Sequence, residues 1–380
     1  MKTVAITTIT GDNTTEVNYG NKLQAYALQE FLRLNGFAPE TIHYKSKTPE
    51  YTSNVVQQRK FSSVDQFVDD ILRIIKRNVY KKKISEKREK RFAKFKEFQN
   101  KHIRFSEEMY TYDSDFSELG KQYDYYITGS DQVWNPYYEG YNPFYYLGYA
   151  PQGKRIAYAP SIAVNTIPKE IEVKYGEWIK GIDYLSIREE AGRELLNEKY
   201  GINPNVVCDP VFLLDKEDWS KISEKPNITG KFFVVYILGK KTVETKRIIK
   251  KFEKKYKIRA VDVYQRDSAD AYFPGPEGFV GLIENCEFVL TDSFHGSAFA
   301  AIFKKPMIIL ERDAVLAERK MNSRIDTLLS MIDAKNRDAK YILDNPEELS
   351  NIYNGDNLLQ KLIYDSKEYL LNALSDKTVE

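Results

Sequence analysis

Along most of this chain, short runs rich in β-branched and aromatic residues alternate with longer runs whose apolar positions recur every three or four residues. The alternation starts at once. "TVAITTI" has strand character and the loop "TGDNTTEVNYGN" follows it. In "KLQAYALQEFLRLNG", Leu23, Ala27, Phe31 and Leu34 then share one helical face, with Gly36 as a carboxyl-terminal cap. "YDYYITGSDQVWNP" repeats the strand-and-loop pattern. So do "DYLSI", "NVVCDP", "KFFVVYIL", "IRAVDVY" and "EFVLT", with helix-like runs between them. A strand that returns to its sheet through a helix pairs in parallel, so the chain predicts an α/β fold: two Rossmann-like domains, each a parallel doubly wound sheet, with a cleft between them.

The boundaries follow from the rhythm. Residues 1–180 form the first unit, interrupted at about 50–110 by a polar, charged, helical insertion. Residues 181–340 form the second, and 341–380 a helical tail that packs back on the first. At 380 residues with 42% hydrophobic side chains, both units can bury a core. No run of eighteen uncharged apolar residues occurs, and "MKTVAITTITGD" lacks the pattern of a secretory signal, so a cytoplasmic location is the default expectation. Cys208 and Cys286 stand far apart and read as reduced core thiols. His43, His102 and His295 show no metal-ligand spacing, and no metal is expected.

The net charge of +2 conceals one basic segment. Residues 73–104 hold fourteen Lys or Arg against three Glu, a local +11 that leaves −9 for the remainder. Phe92, Phe95 and Phe98 recur there at helical spacing, predicting an amphipathic helix with a basic outer face. A solvated surface, contact with an anionic membrane or with a diphosphate-bearing acceptor are the readings such a face admits. No aromatic-interleaved motif supports nucleic acid. The Tyr-rich stretch "EGYNPFYYLGYAPQGKRIAYAPSI" reads as short strands whose rings either pack the core or offer a stacking face for sugar.

In parallel sheets all strands end on one edge, so the loops Gly11 to Gly20, Gly129 to Pro136, Ser186 to Glu190 and Asp292 to Gly296 are predicted to converge on the cleft. Arg188 closes the strand of "LSIREE", where a guanidinium can grip a phosphate or carboxylate; a surface ion pair with Glu189 or Glu190 is the plainer alternative. His295 opens the helix of "TDSFHGSAFAAIF", where free amides and the helix dipole favour an anion and a bound phosphate would load the imidazole for acid catalysis; a capping or core histidine is its alternative. Asp131 and Asp292 are candidate bases or hydroxyl-orienting groups, or turn formers. Neither a P-loop nor a dinucleotide fingerprint is present.

In that order along residues 1–330, "NYGNKLQAYALQEFLRLNGF", "YYITGSDQVWNP", "LSIREEAGRELL", "VVCDPVFLLDKEDW" and "LTDSFHGSAFAAIFKKPMII" resemble the polysaccharide pyruvyl transferase family. The resemblance implies a glycosyltransferase-B-like pair of domains with the acceptor on the first and the donor on the second. It implies transfer of a pyruvyl unit from phosphoenolpyruvate onto two hydroxyls of one sugar, without metal or cofactor. His295 matches the family's "R-L-H-G" histidine and Arg188 its strand-end arginine, while Ser293 and Phe294 stand where the family has arginine and leucine. Donor contacts would then fall to Arg188, Ser293, Phe294, Gly296 and, as the replacement cation, Arg324. Acceptor contacts would fall to Asn18, Tyr19, Gly20, Asp131, Gln132 and Trp134, with His295 and Asp131 catalytic. The acceptor would be a polysaccharide or a lipid-linked precursor met at the inner face of the membrane. A nucleotide-sugar glycosyltransferase and a non-enzymatic carbohydrate-binding protein are the alternatives.

Overall fold

The computed structural model describes residues 1–11, 18–45, 89–137, 142–239, 241–263, 274–310, 323–332, 334, 336–350 and 357–375. Its first sheet is wholly parallel, built from β1 (Thr3–Thr7), β2 (Ala38–Lys45), β3 (Phe105–Thr111), β4 (Tyr125–Thr128) and β5 (Arg155–Ala157) in the order β3-β2-β1-β4-β5. Two short paired strands, β6 (Ser186–Ile187) and β7 (Asn205–Val206), follow. The second sheet is also parallel: β8 (Phe232–Tyr236), β9 (Arg259–Asp262), β10 (Val289–Thr291) and β11 (Met307–Ile309), in the order β11-β10-β8-β9. The α/β class with two parallel sheets is thus as the residue pattern predicts.

The inner strands β1, β4, β8 and β10 are buried on both faces, which is why they are nearly continuous in apolar residues instead of alternating with polar ones. Val4, Ile6, Ile127, Ile156, Val234 and Val289 point into one core cluster. The intervening Ala5, Tyr126 and Ala157 point into a second, and Val235 and Leu290 into a third. The first of these clusters is shared by the two sheets. At its centre lies α1 (Tyr19–Leu34), capped by the Asn18 side chain, with every residue from Tyr19 to Gln29 buried.

The seam between the halves is aromatic. Tyr19 stacks on Phe279 of α7 (Pro276–Asn285) at 4.5 Å, meets Tyr236 and Phe95, and donates its hydroxyl to Pro274 O at 2.8 Å. Phe95 and Phe98 belong to helix α2 (89–102), where they are buried as their spacing predicts. Arg91 of that helix is buried as well, over the Tyr19 ring, and its exposed face mixes Lys90, Lys94, Lys96 and Lys101 with Glu89 and Glu97. The more basic part, 73–88, lies outside the described residues.

Two details differ from the sequence reading, and a choice that it left open is decided. Residues 105–111, placed within the insertion, form the outermost strand of the first sheet. "FSEEMYT" carries few apolar residues because an edge strand buries little. The strands after Gly181 attach to the first sheet: Ala157 N–H donates to Tyr184 O at 2.8 Å and Tyr184 N–H to Arg155 O at 3.1 Å. The Tyr-rich stretch is core. Tyr145, Tyr146 and Tyr158 are all buried, so their faces are not open to sugar. The tail helix α11 (Asn357–Ala373) lies against this same region: Tyr369 Oη donates to Ala157 O at 3.1 Å, and Ser366 Oγ accepts the Cys208 amide at 2.8 Å. Among the described residues, no helix is long and apolar enough to cross a membrane.

Candidate active site

Strand order in an open parallel sheet reverses at one point, and the crevice outside the carboxyl ends of the two strands there is where ligands bind. The reversal falls between β1 and β4 in the first sheet and between β8 and β10 in the second. Asp131 follows β4 and His295 follows β10, so the two edges contribute to one site.

Arg188 leaves the end of β6 with its side chain 2% exposed, not on the surface. Its Nη1 donates to Asp209 Oδ2 at 2.5 Å and approaches Ser130 Oγ at 3.5 Å. Its Nη2 lies 3.6 Å from Asp131 Oδ1, and its Nε lies 4.0 Å from Glu189 Oε2. The Phe294 ring lies 5.2 Å from the guanidinium. Burial, the largest influence, pulls the guanidinium's pKa down; the Asp209, Asp131 and Glu189 carboxylates outweigh it, and the net value rises. Burial also pushes the Asp209 carboxyl up, but His295, Arg188 and the Val211 amide reverse this and hold it well below the ordinary carboxylate range.

His295 meets the same carboxylate oxygen, with Nε2 at 3.6 Å from Asp209 Oδ2. Its other side rests on α1. A Cβ built on Gly20 would stand 2.1 Å from His295 Nδ1, so only glycine admits the imidazole here. Gly20→Ala should therefore displace the ring and cost about 1–3 kcal/mol through overpacking. Urea denaturation at neutral pH checks this, and an unchanged midpoint would show that the ring has room.

Asp131 has a left-handed backbone (φ +66) and is held by Asn21 Nδ2 on Oδ2 at 2.5 Å and by the Gln132 amide on Oδ1 at 2.9 Å. Gln24, one turn further along α1, donates to Thr8 Oγ1 and Ile9 O, and its Oε1 lies 3.4 Å from the Ser130 amide. The first two turns of α1 therefore organise the ends of β1 and β4 and the rest for His295. Glu189 Oε1 accepts three hydrogen bonds, from Ser161 Oγ and from the Ile162 and Ala163 amides. Buried without hydrogen-bond partners are Arg188 Nε and Nη2, Glu189 Oε2 and His295 Nε2. Buried polar atoms are nearly always satisfied, so a group of orphans around one cation marks a place for a ligand or ordered water. Beside Arg188 and Glu189 a cavity of about 30 Å³ reaches Phe294, Leu328 and Leu359, room for a water but not for a sugar.

The remaining candidates divide. Phe294 and Ser293 border the site; Ser293 is the buried first cap of α8 (Phe294–Ile302), and Gly296 lies against Thr291 and Tyr236. Asn18 caps α1 by accepting the Gly20 amide at 2.9 Å, and Gln132 Oε1 accepts from Asn135 at 2.8 Å, both half-buried. Trp134 and Tyr19 are fully buried, Trp134 stacked on Tyr146 at 5.7 Å, so neither offers a face to an acceptor. Asp292 is engaged by the Leu238 and Gly239 amides at 2.7 and 2.8 Å, tying β10 to the loop after β8. Arg324 lies in α9 (Ser323–Met331), with its side chain outside the described residues.

Sequence reasoning missed Asp209, the residue that joins Arg188 to His295. Its position just past the strand-like run "NVV", before Pro210, was the available signal. Cys208 and Cys286 are free and buried, and burial raises their thiols to about 11 and about 12. Among the described residues no group of three His, Cys, Asp or Glu is placed to hold a metal ion.

A family model described as polysaccharide pyruvyl transferase matches residues 18–314. No curated protein matches the chain. Among solved structures it is similar to UDP-GlcNAc 2-epimerase from Neisseria meningitidis bound to UDP-GlcNAc, at 11% identity, 98% of this chain, 99% of that chain and a TM-score of 0.47. UDP-GlcNAc 2-epimerase from Methanocaldococcus jannaschii aligns at 14% identity over 96% of this chain and 100% of that one, with a TM-score of 0.45. The spinosyn forosaminyltransferase SpnP aligns at 11% over 98% of each, with a TM-score of 0.41. Likenesses at this level say nothing of chemistry.

Proposed function

The chain belongs to the polysaccharide pyruvyl transferase family, and on that footing we propose that it moves a pyruvyl group from phosphoenolpyruvate onto two hydroxyls of one sugar in a cell-surface polysaccharide or its lipid-linked precursor. The observation that carries this reading is the meeting of Arg188 and His295 at one carboxylate oxygen, between the carboxyl-terminal edges of two sheets. No metal or cofactor enters the scheme.

His295 gives a proton to the methylene carbon of the enol phosphate, and the cationic carbon so formed accepts the first sugar hydroxyl. Phosphate leaves, and the second hydroxyl closes the ketal. Overall, one hydroxyl proton ends in the new methyl group and the other on the departing phosphate. Asp131, held by Asn21 and the Gln132 amide, orients or deprotonates the incoming hydroxyl. Arg188, kept still by Asp209, would offer Nε and Nη2, which make no hydrogen bond here, to the donor's phosphate or carboxylate, in a cavity that must widen from its about 30 Å³ to admit it.

Charge sets a condition on this scheme. Three carboxylates, of Asp131, Glu189 and Asp209, surround one guanidinium, so a trianionic donor needs positive help. The amino-terminal end of the α8 dipole supplies part of it, the proton carried by His295 another, and Arg324 takes the role of the arginine replaced by Ser293. The basic segment 73–104 would hold the enzyme near anionic lipid and a lipid-linked acceptor at the cytoplasmic face.

Ligand-induced stabilisation tests the donor. Phosphoenolpyruvate at a hundred times its dissociation constant should stabilise the fold by about 2.7 kcal/mol, seen as a raised melting temperature. A shift with nucleotide sugars and none with phosphoenolpyruvate would instead support a glycosyltransferase.

A further inference from the structure

We infer that Asp209 is the positioning residue of the site: its Oδ2 fixes a proton of His295 on Nε2, leaving Nδ1, beside Gly20 at the start of α1, as the nitrogen that exchanges a proton with substrate. Its role in turnover rests on the function proposed above, whereas the geometry does not.

The carboxylate is clamped. Oδ1 accepts the Val211 amide at 3.1 Å, Oδ2 accepts Arg188 Nη1 at 2.5 Å, and the side chain has no exposed surface. The backbone just before it is fixed too, since the Cys208 amide donates to Ser366 Oγ of α11. Oδ2 thus has a set direction, and His295 Nε2 faces it at 3.6 Å, sealed from solvent and without a hydrogen-bond partner. A neutral imidazole has one N–H and one lone pair. A lone pair on Nε2 would be aimed at an anionic oxygen, whereas an N–H needs only a small swing of the ring to close a hydrogen bond.

Among the described residues, no hydrogen bond competes for Nε2. The ring meets Gly20 of α1, which offers no acceptor side chain, while Asp131 and Glu189 stand by the Arg188 guanidinium at 3.6 and 4.0 Å. In the imidazolium both nitrogens carry protons, and Nδ1–H is the one given to the methylene carbon. The C–H bond forms as the N–H bond breaks. With Asp131 orienting the attacking hydroxyl, its proton then returns to Nδ1, while Nε2 keeps its own proton, hydrogen-bonded to Asp209, throughout.

The test reads the imidazole directly. The full chain contains three histidines, His43, His102 and His295, so nitrogen-15 spectra of wild type and His295→Gln identify the signals of residue 295. Neutral His295 should show a protonated Nε2 and an unprotonated Nδ1; the reverse tautomer overturns the inference. In Asp209→Asn, kcat at saturating phosphoenolpyruvate should fall on the order of 10²- to 10⁴-fold through lost proton transfer, while any rise in KM reports the loosened Arg188 guanidinium. A raised KM with unchanged kcat contradicts it. Should the Asn variant fail to fold, the wild-type tautomer still decides. If the tautomer is as stated and no pyruvyl transfer is found with any acceptor, the function fails and the Asp209–His295 arrangement stands.

Discussion

Asp209→Ala should lose about 3–5 kcal/mol of folding stability, because it strands the Arg188 guanidinium in a site that excludes water. Arg188 is 2% exposed, and its remaining carboxylates stand at 3.6 and 4.0 Å, too far to replace a 2.5 Å contact. The effect should also depend on pH. The native Asp209 carboxyl is held below its unfolded value, so its contribution is complete above the unfolded pKa of about 3.9 and disappears as pH falls toward the lower native value. Wild type should therefore shed stability in acid that the Ala variant never had, and the two unfolding curves should draw together below about pH 4. Urea denaturation at pH 7 and pH 3 measures both parts. A loss under about 1 kcal/mol at pH 7 would mean that the pair does not anchor the site.

His295→Gln should leave the fold near wild type and lower turnover by roughly 10²- to 10⁴-fold, the usual worth of a general acid. Glutamine keeps much of the bulk against Gly20 and can hydrogen-bond Asp209, but it has no proton to give to carbon. Steady-state kinetics with saturating phosphoenolpyruvate and acceptor separate this from a binding defect. Turnover within a few-fold of wild type, in a variant that melts normally, would remove the proton-donor role.

The parts of the fold that were legible in the sequence are those governed by burial. β8, "FFVVY", and β10, within "EFVLT", are mostly apolar because helices cover both faces of the sheet, and α1 shows its period although its first eleven residues are buried on every side. β3 was not legible: an edge strand with Ser106, Glu107 and Glu108 resembles a polar helix end. β6 and β7, of two residues each, are too short to declare which sheet they join, and that depends on the bonds from β5 to Tyr184.

The site divides by the same logic. Arg188 and His295 stand out as charged or titratable residues at strand ends. Their meeting does not, because it passes through Asp209, whose place before Pro210 reads equally as a turn former or a cap. Aromatic residues misled in the other direction. Trp134 and Tyr19 lie in glycine- and asparagine-rich loop sequence that reads as exposed, yet each fills a core, Tyr19 across the seam between the sheets and Trp134 on the other face of the first sheet. Gly20 was named with the acceptor loop, while its contact is with the imidazole from the other half of the chain.

The central claim, that Arg188 and His295 act together on phosphoenolpyruvate, is tested most directly by phosphate release from phosphoenolpyruvate in the presence of free and lipid-linked saccharides, with wild type and His295→Gln side by side. The account predicts saccharide-dependent release, one phosphate per ketal formed, reduced at least about a hundredfold in the variant. Release that ignores the saccharide or the substitution at 295, or none with any saccharide while a nucleotide sugar is consumed, would contradict it.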